Sequence, residues 1–349
     1  MKKILFIHTT YRFIGGEDIA VDNEINFLKK YYNVEVIKFS NSKLSILDLL
    51  SFFTNSNLKS NKELRNKINK FNPDFAYIHN TWFKGSLGLF KILKKNNIEI
   101  LLKIHNFRYD CTRYFLSKNH LKNKEFCDAC GLKKDSVGIF NKYFNSSYIK
   151  SIVIYNYGVK YFKILKKSTF KLLVLTEFHK KYLTELGIKK DRVFVFPNYI
   201  EMIKEDTSLQ KEDQIVYAGR VSQEKGILEL VNAFISCEFK NLKLIIIGGG
   251  PILGDLKNKF ISKNIEFKGE LPNSEVKKLI SKSKGVVTAT KLLEGQPTLL
   301  CEASSLGVPS IFPRTGGISE FFPVDDLFSF EQFNYSELVE NLKYDIQFA

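Results

Sequence analysis

The chain has no apolar run long enough to cross a bilayer. Its longest runs, such as Leu172–Leu175 and Lys243–Ile247, are of strand length, whereas a membrane helix needs about 20 residues. The core of a secretion signal is missing too, because Ile4-Leu5-Phe6-Ile7 gives way at once to His8, Thr9 and Thr10. A cytoplasmic chain is expected. Five cysteines fit a reducing compartment better than a disulfide framework. The standard Gly-x-Gly-x-x-Gly fingerprint is also missing. Gly248-x-Gly250-x-x-x-Gly254 follows an apolar run, but no acidic residue ends a strand about 20 residues on, which argues against a dinucleotide-dependent oxidoreductase. No recognised nucleic-acid-binding motif occurs, so nucleic acid is not an expected partner.

What is present suits two ordinary domains. The 349 residues are 44% hydrophobic and 26% charged, as in folded soluble proteins. A net charge of +16 implies either a compositional bias toward lysine or an anionic partner. The stretch from Tyr143 to Lys171 places Lys150, Lys160, Lys163, Lys166 and Lys167 among Tyr148, Tyr155, Tyr157, Tyr161 and Phe162. A helix with core aromatics and solvated lysines explains this pattern. So does peripheral attachment to the inner face of the cytoplasmic membrane, where each cation contributes about 1 kcal/mol.

Short apolar strands alternate with helical patterns throughout. Strands are expected at Ile4–His8, Val34–Phe39, Phe75–His79, Ile100–Ile104 and Leu172–Leu175, then at Gln214–Ala218, Lys243–Ile247, Ile265–Phe267, Gly285–Thr288 and Pro309–Ile311. Helical spacing marks Asp18–Lys30, a stretch ending at Asn72-Pro73, Ile227–Ile235, Ser274–Ser281, Thr298–Leu306 and Tyr335–Leu342. This alternation implies parallel sheets with right-handed crossovers, in an α/β class of two Rossmann-like domains. The polar stretch after Phe196-Pro197-Asn198 marks the joint, giving domains 1–197 and 198–349.

Three groups of residues carry chemistry. Gly219-Arg220 and Glu224-Lys225-Gly226 follow an expected strand and supply a guanidinium fork and an ammonium, both suited to phosphate, or else a solvated basic loop. Glu294-Gly295-Gln296-Pro297-Thr298 precedes a helix that Pro297 would open as its first residue. The free N–H groups of Gln296, Thr298 and Leu299 then form an anion site, with Glu302 one turn on. In the first half, Gly15-Gly16 follows a strand and opens a helix, where a phosphate can approach closely. His105-Asn106-Phe107-Arg108 and His79-Asn80 stand at strand ends, although a lone histidine is more often structural.

In their order, Gly219-Arg220…Lys225-Gly226, Ile247-Gly248-Gly249-Gly250-Pro251, Gly269, Glu294-x7-Glu302-Ala303, Gly307-x-Pro309 and Gly316-Gly317-x-x-Glu320 resemble the retaining family 4 glycosyltransferases. The resemblance implies a GT-B fold, with two sheets facing across a cleft, and a nucleotide-sugar donor (UDP- or GDP-linked). It implies that Arg220 and Lys225 hold the diphosphate, Glu302 the ribose and Glu294 the transferred sugar. Gly15 and Gly16 would close over the donor with Gln296, Pro297 and Thr298, and His105 would stand beside the sugar. His79, Asn80 and Arg108 would line the side of a glycan or lipid-linked acceptor. The usual Asp-x-Asp of the other main glycosyltransferase fold is lacking, so no metal or other cofactor is expected for transfer. A non-catalytic relative is disfavoured by the intact Arg/Lys and Glu/Glu set. One helix beyond Glu320 is fewer than the resemblance leads one to expect, so the second domain reads as shortened at its end.

Cys127-x-x-Cys130 has metal-ligand spacing, with Cys111 and either His105 or His120 as further candidate ligands. No second Cys-x-x-Cys accompanies it, so reduced thiols packed in a loop are the expectation and zinc the alternative.

Overall fold

The computed structural model describes residues 1–11, 15–42, 45, 48, 51, 53–144, 147–201, 210–261, 264–323 and 327–348. They form two compact units. The first comprises residues 1–11 and 21–197; the second comprises 198–348 together with residues 15–20.

The sheet of the first unit contains β1 (Lys3–Thr10), β2 (Asn33–Ser40), β3 (Phe75–Ile78), β4 (Glu99–Ile104), β5 (Lys171–Val174) and β6 (Val193–Val195), in the order β2-β1-β3-β4-β5-β6. Every pairing is parallel. Ile4–Ile7 of β1 are all buried, because a parallel sheet is covered on both faces and an interior strand has no wet side. The helix Leu58–Phe71 starts where Asn57 accepts hydrogen bonds from the backbone N–H groups of Lys59 and Ser60. It stops at Asn72, in the left-handed region at φ 49°, immediately before Pro73.

The second unit repeats the plan with β7 (Glu212–Ala218), β8 (Lys243–Ile247), β9 (Ile265–Gly269), β10 (Ser283–Val287), β11 (Ser310–Arg314) and β12 (Ser329–Glu331), in the order β12-β11-β10-β7-β8-β9. The two-residue period of β7 separates its cores. Ile215 and Tyr217 pack under the helices Ile227–Ser236 and Tyr335–Phe348, while Val216 packs on the other face under Asn273–Ser281 and Thr298–Ser305. Each such apolar side chain contributes roughly 1.5–3 kcal/mol by leaving water.

β6 and β12, both three-residue edge strands, were not expected from the sequence, and neither were the helices Gly88–Lys95 and Glu177–Glu185. Several boundaries also differ from expectation, two of them at prolines. The strand near Pro309 runs from Ser310 to Arg314, with Pro309 ahead of it. Pro297 is the cap of the helix Thr298–Ser305 rather than its first residue, with an extended backbone (ψ 92°) that no helical residue has.

Both sheets reverse their winding direction once, between β1 and β3 and between β7 and β10. Crevices outside the carboxyl ends of strands at such reversals are where open α/β sheets hold ligands.

Candidate functional site

In the second unit, the loops leaving β7 and β10 meet at the reversal. Lys225 Nζ lies 2.5 Å from Glu294 Oε1, and that same oxygen accepts a hydrogen bond from Thr290 Oγ1 at 2.8 Å. Arg220 faces Glu224 at 3.8 Å, and all four charged side chains are partly exposed. The backbone forces this convergence. Gly226 has φ +68°, and a Cβ there would collide with the carbonyl oxygen of Ala289. Gly316 has φ +61°, and a Cβ there would collide with the backbone of Glu294. Glycine at these two positions lets three loops close on a single point.

The helix Thr298–Ser305 begins beside this pair. Its first backbone N–H groups have no intrahelical acceptor, and its positive end favours an anion. Gly16 lies against its start, since a Cβ on Gly16 would come to 3.2 Å from Thr298 Oγ1. Gly15 N–H donates to Asp18 Oδ2 at 3.0 Å, which fixes the glycine turn. Gln296 is engaged differently. Its side-chain oxygen accepts from Asn198 N–H and its Nε2 donates to Asn198 O at 3.3 Å, so the amide clamps the segment after Pro197. Glu302 is buried, accepts from Asn273 Nδ2 at 3.3 Å, and is shifted upward in pKa by burial. A buried carboxylate with one neutral donor has room for further donors, such as vicinal hydroxyls.

In the first unit, the histidines expected at strand ends form a network with Lys103, Glu24 and Tyr77, which the sequence reading missed. Lys103, fully buried in β4, donates to Glu24 Oε2 at 2.9 Å and to Pro197 O at 3.3 Å. Tyr77 OH donates to Glu24 Oε1 at 2.6 Å. His79 Nδ1 and His105 Nε2 are 2.7 Å apart, and the His79 ring stacks on Phe6 with centroids 4.6 Å apart. Burial, reinforced by Lys103 and His8, pushes both histidines well below their ordinary pKa, so both are neutral. Glu24 Oε2 lies 3.8 Å from His79 Nε2 and favours the proton on that nitrogen. His79 Nδ1 then accepts, and His105 donates from Nε2.

His79 is buried and acts on its surroundings through His105. Asn80 is committed at both ends of its amide, donating to Thr9 O at 2.8 Å and accepting from Trp82 N–H at 2.9 Å. The Arg108 guanidinium lies over Tyr11, 5.6 Å from the ring centroid. Two signals of the network are visible in the sequence once it is known. Lys103 is a charge inside an apolar strand, and Glu24 shares the helical face of Val21 and Ile25. Cys111, Cys127 and Cys130 converge in the loop beyond Arg108 with His120, and not with His105. No helix among the described residues is long and apolar enough to cross a membrane.

Residues 199–344 match the model of the family "Glycosyl transferases group 1". The two six-stranded sheets give the chain a two-domain α/β fold similar to that of GT-B glycosyltransferases. The amylovoran biosynthesis glycosyltransferase AmsD of Erwinia amylovora is 27% identical over 150 residues, covering 40% of this chain and 42% of that protein. The putative teichuronic acid biosynthesis glycosyltransferase TuaC of Bacillus subtilis (strain 168) is 32% identical over 138 residues, covering 39% of this chain and 34% of that protein. The matches thus span less than half the length of these relatives. Among solved structures, sucrose-phosphate synthase from Thermosynechococcus elongatus superposes with a TM-score of 0.68 at 14% identity, over 100% of this chain and 90% of its own. Anabaena Alr3699/HepE in complex with UDP and glucose gives 0.64 at 11% identity, over the same shares. At such identities these likenesses speak for the fold.

Proposed function

We propose that the chain transfers a sugar from a nucleoside diphosphate sugar, UDP- or GDP-linked, to a glycan or lipid-linked acceptor, with retention of anomeric configuration. The observation that carries this reading is the Lys225–Glu294 pair. In such a donor one oxygen joins the sugar to the diphosphate, so the groups serving the two halves must converge where that bond lies. An ammonium and a carboxylate 2.5 Å apart meet that requirement.

In this reading Lys225 and Arg220 stabilise the charge that develops on the departing diphosphate, together with the backbone N–H groups at Thr298 and Leu299. Gly15 and Gly16 let the backbone approach the same anion. Glu302 accepts hydrogen bonds from the ribose diol, and Glu294 from the sugar. The acceptor oxygen bonds to the anomeric carbon on the face from which the phosphate oxygen leaves, and that oxygen takes the acceptor's proton. His105 donates from Nε2 to a sugar oxygen when the substrate replaces His79 as its partner. No side chain forms a covalent bond, and no metal is used.

The names of AmsD and TuaC favour a bacterial surface polysaccharide as product. Peripheral attachment to the inner face of the cytoplasmic membrane is supported by the helix Tyr148–Lys167. It exposes Tyr148, Ile149, Ile152 and Val159 beside the exposed Lys150, Lys160 and Lys163. A basic groove lined by Arg65, Lys91, Lys94 and Lys167 adjoins it. A panel of nucleotide sugars, screened by thermal stabilisation and hydrolysis, tests the donor class; a panel without response refutes it. NMR of the product anomer tests the stereochemistry, and inversion refutes retention.

A further inference from the structure

The segment between β4 and the helix Tyr148–Lys167 holds a cluster that sugar transfer does not use. Cys111 ends the short helix Arg108–Cys111, and His120 lies in the short helix Ser117–Leu121. Cys127 and Cys130 occupy a hairpin whose arms pair at Phe126 and Lys133. Cys127 N–H donates to Leu132 O at 3.0 Å. Cys130 and Gly131 N–H both donate back to Cys127 O, at 3.3 and 2.7 Å, with Gly131 at φ +73°. This tight turn presents both sulfurs on one side.

The four ligand atoms lie within 4.8 Å of one another. Cys111, His120 and Cys127 are buried, and all five cysteines of the chain are free thiols. The shell is apolar, made of Leu121, Val137, Leu132, Ala129 and Tyr143. Within it the groups have few partners besides themselves. His120 Nε2 lies 3.2 Å from Cys130 Sγ, and Cys111 Sγ lies 3.6 Å from Arg108 O. Thiols packed merely as small apolar groups have no reason to converge from three separate segments onto an imidazole. A metal ion supplies the reason.

We infer that Cys111, His120, Cys127 and Cys130 form a structural Cys3His zinc site that staples the loop following Arg108. Three sulfurs and one imidazole nitrogen are the donor set of closed tetrahedral zinc. With Zn–S bonds of about 2.3 Å, ligand atoms stand about 3.8 Å apart, so the cluster closes by contracting about 1 Å. Each protonated thiol releases its proton to solvent as its sulfur binds, and the ion keeps its oxidation state. Four protein ligands leave no open position, so the site holds structure and does no chemistry. The short elements around it bury little core of their own, and metal binding here is folding free energy.

The test uses the full chain, produced with zinc in the medium and purified under reductant without chelator. Metal is measured by mass spectrometry beside a free-thiol count. The expected result is about one zinc per chain, falling at least about tenfold in Cys127→Ser and Cys130→Ser and unchanged in Cys237→Ser, which lies in the second unit. Should the serine variants fail to fold, cobalt titrated into metal-free wild type decides. The thiolate charge-transfer and tetrahedral d–d bands should saturate at about one equivalent. Wild type with its thiols reduced, less than about a tenth of an equivalent of zinc and no cobalt–thiolate band overturns the inference. Full zinc retention in both serine variants overturns it equally. None of these readouts involves sugar transfer, so the donor reading stands or falls separately.

Discussion

Replacing Glu24 by glutamine keeps the outline of the side chain and removes the negative charge that faces Lys103. Both residues are buried, Lys103 completely, and their charged atoms are 2.9 Å apart. Burial already pushes the Lys103 pKa down, and Glu24 is what opposes that shift. In Glu24→Gln the ammonium must either stay charged without a counter-ion or give up its proton. Removing one partner of a buried pair costs about 3–5 kcal/mol, because the desolvated charge that remains has nothing to offset it. For a unit of this size each kcal/mol lowers the midpoint by roughly 2–4 °C, so a fall of roughly 10 °C is expected in the first unit's transition. The assay is thermal and urea unfolding followed by circular dichroism, with Glu24→Leu/Lys103→Met as the companion variant. Apolar replacement of both partners should recover most of the loss, since it removes the desolvation cost with the attraction. A shift below about 0.5 kcal/mol in Glu24→Gln would refute the argument, as would a double variant as unstable as the single one.

Lys225→Ala and Glu302→Ala should each lower nucleotide-sugar affinity or turnover at least about tenfold with an unchanged melting transition, and wild-type activity in either refutes the donor assignment. His105→Ala should reduce turnover more than nucleotide affinity in titration calorimetry; equal losses would count against its place beside the sugar. Gly316→Ala should destabilise the second unit by more than the roughly 1–2 kcal/mol of left-handed strain, because the added methyl also meets the Glu294 backbone. A neutral result in urea unfolding rules that out. Stability should also fall with acid. His79, His105 and His179 are held neutral by burial, His179 down to about 3, whereas in the unfolded chain each titrates near 6.5. The unfolded state therefore binds more protons as pH drops below about 6.5. Stability is full above that value and is lost on the way down, by up to about 1.4 kcal/mol per histidine per pH unit. A urea midpoint at pH 5.5 equal to that at pH 7.5 contradicts the burial of these rings.

The long strands were legible in the sequence because a parallel strand buried on both faces reads as an unbroken apolar run. Ile4–Ile7 and Lys243–Ile247 show it. β6 and β12 were not, since three residues at a sheet edge leave too little pattern to separate from loop. The loops of the second unit were readable because glycine is required where Gly226 and Gly316 stand, and such requirements appear as spacing. The network around Glu24 was hidden for the opposite reason. Its members come from β1, β3, β4 and the helix Gly16–Leu28, and only the fold unites residues as far apart as Glu24 and Lys103. His120 was one of two candidates to complete the cysteine cluster, and spacing alone could not separate it from His105, which pairs instead with His79.

The ion pairs of the second unit bear on what would follow the proposed transfer. Arg220 and Lys225 each have a glutamate at hand, so the four groups sum to zero formal charge before anything binds. In the proposed donor reading, an arriving donor would draw Lys225 toward phosphate and leave Glu294 to the hydroxyls of the sugar. Once the sugar had gone, that carboxylate would face a bare diphosphate with no hydroxyl to engage, and their repulsion would oppose the pull of the two cations on the spent nucleotide.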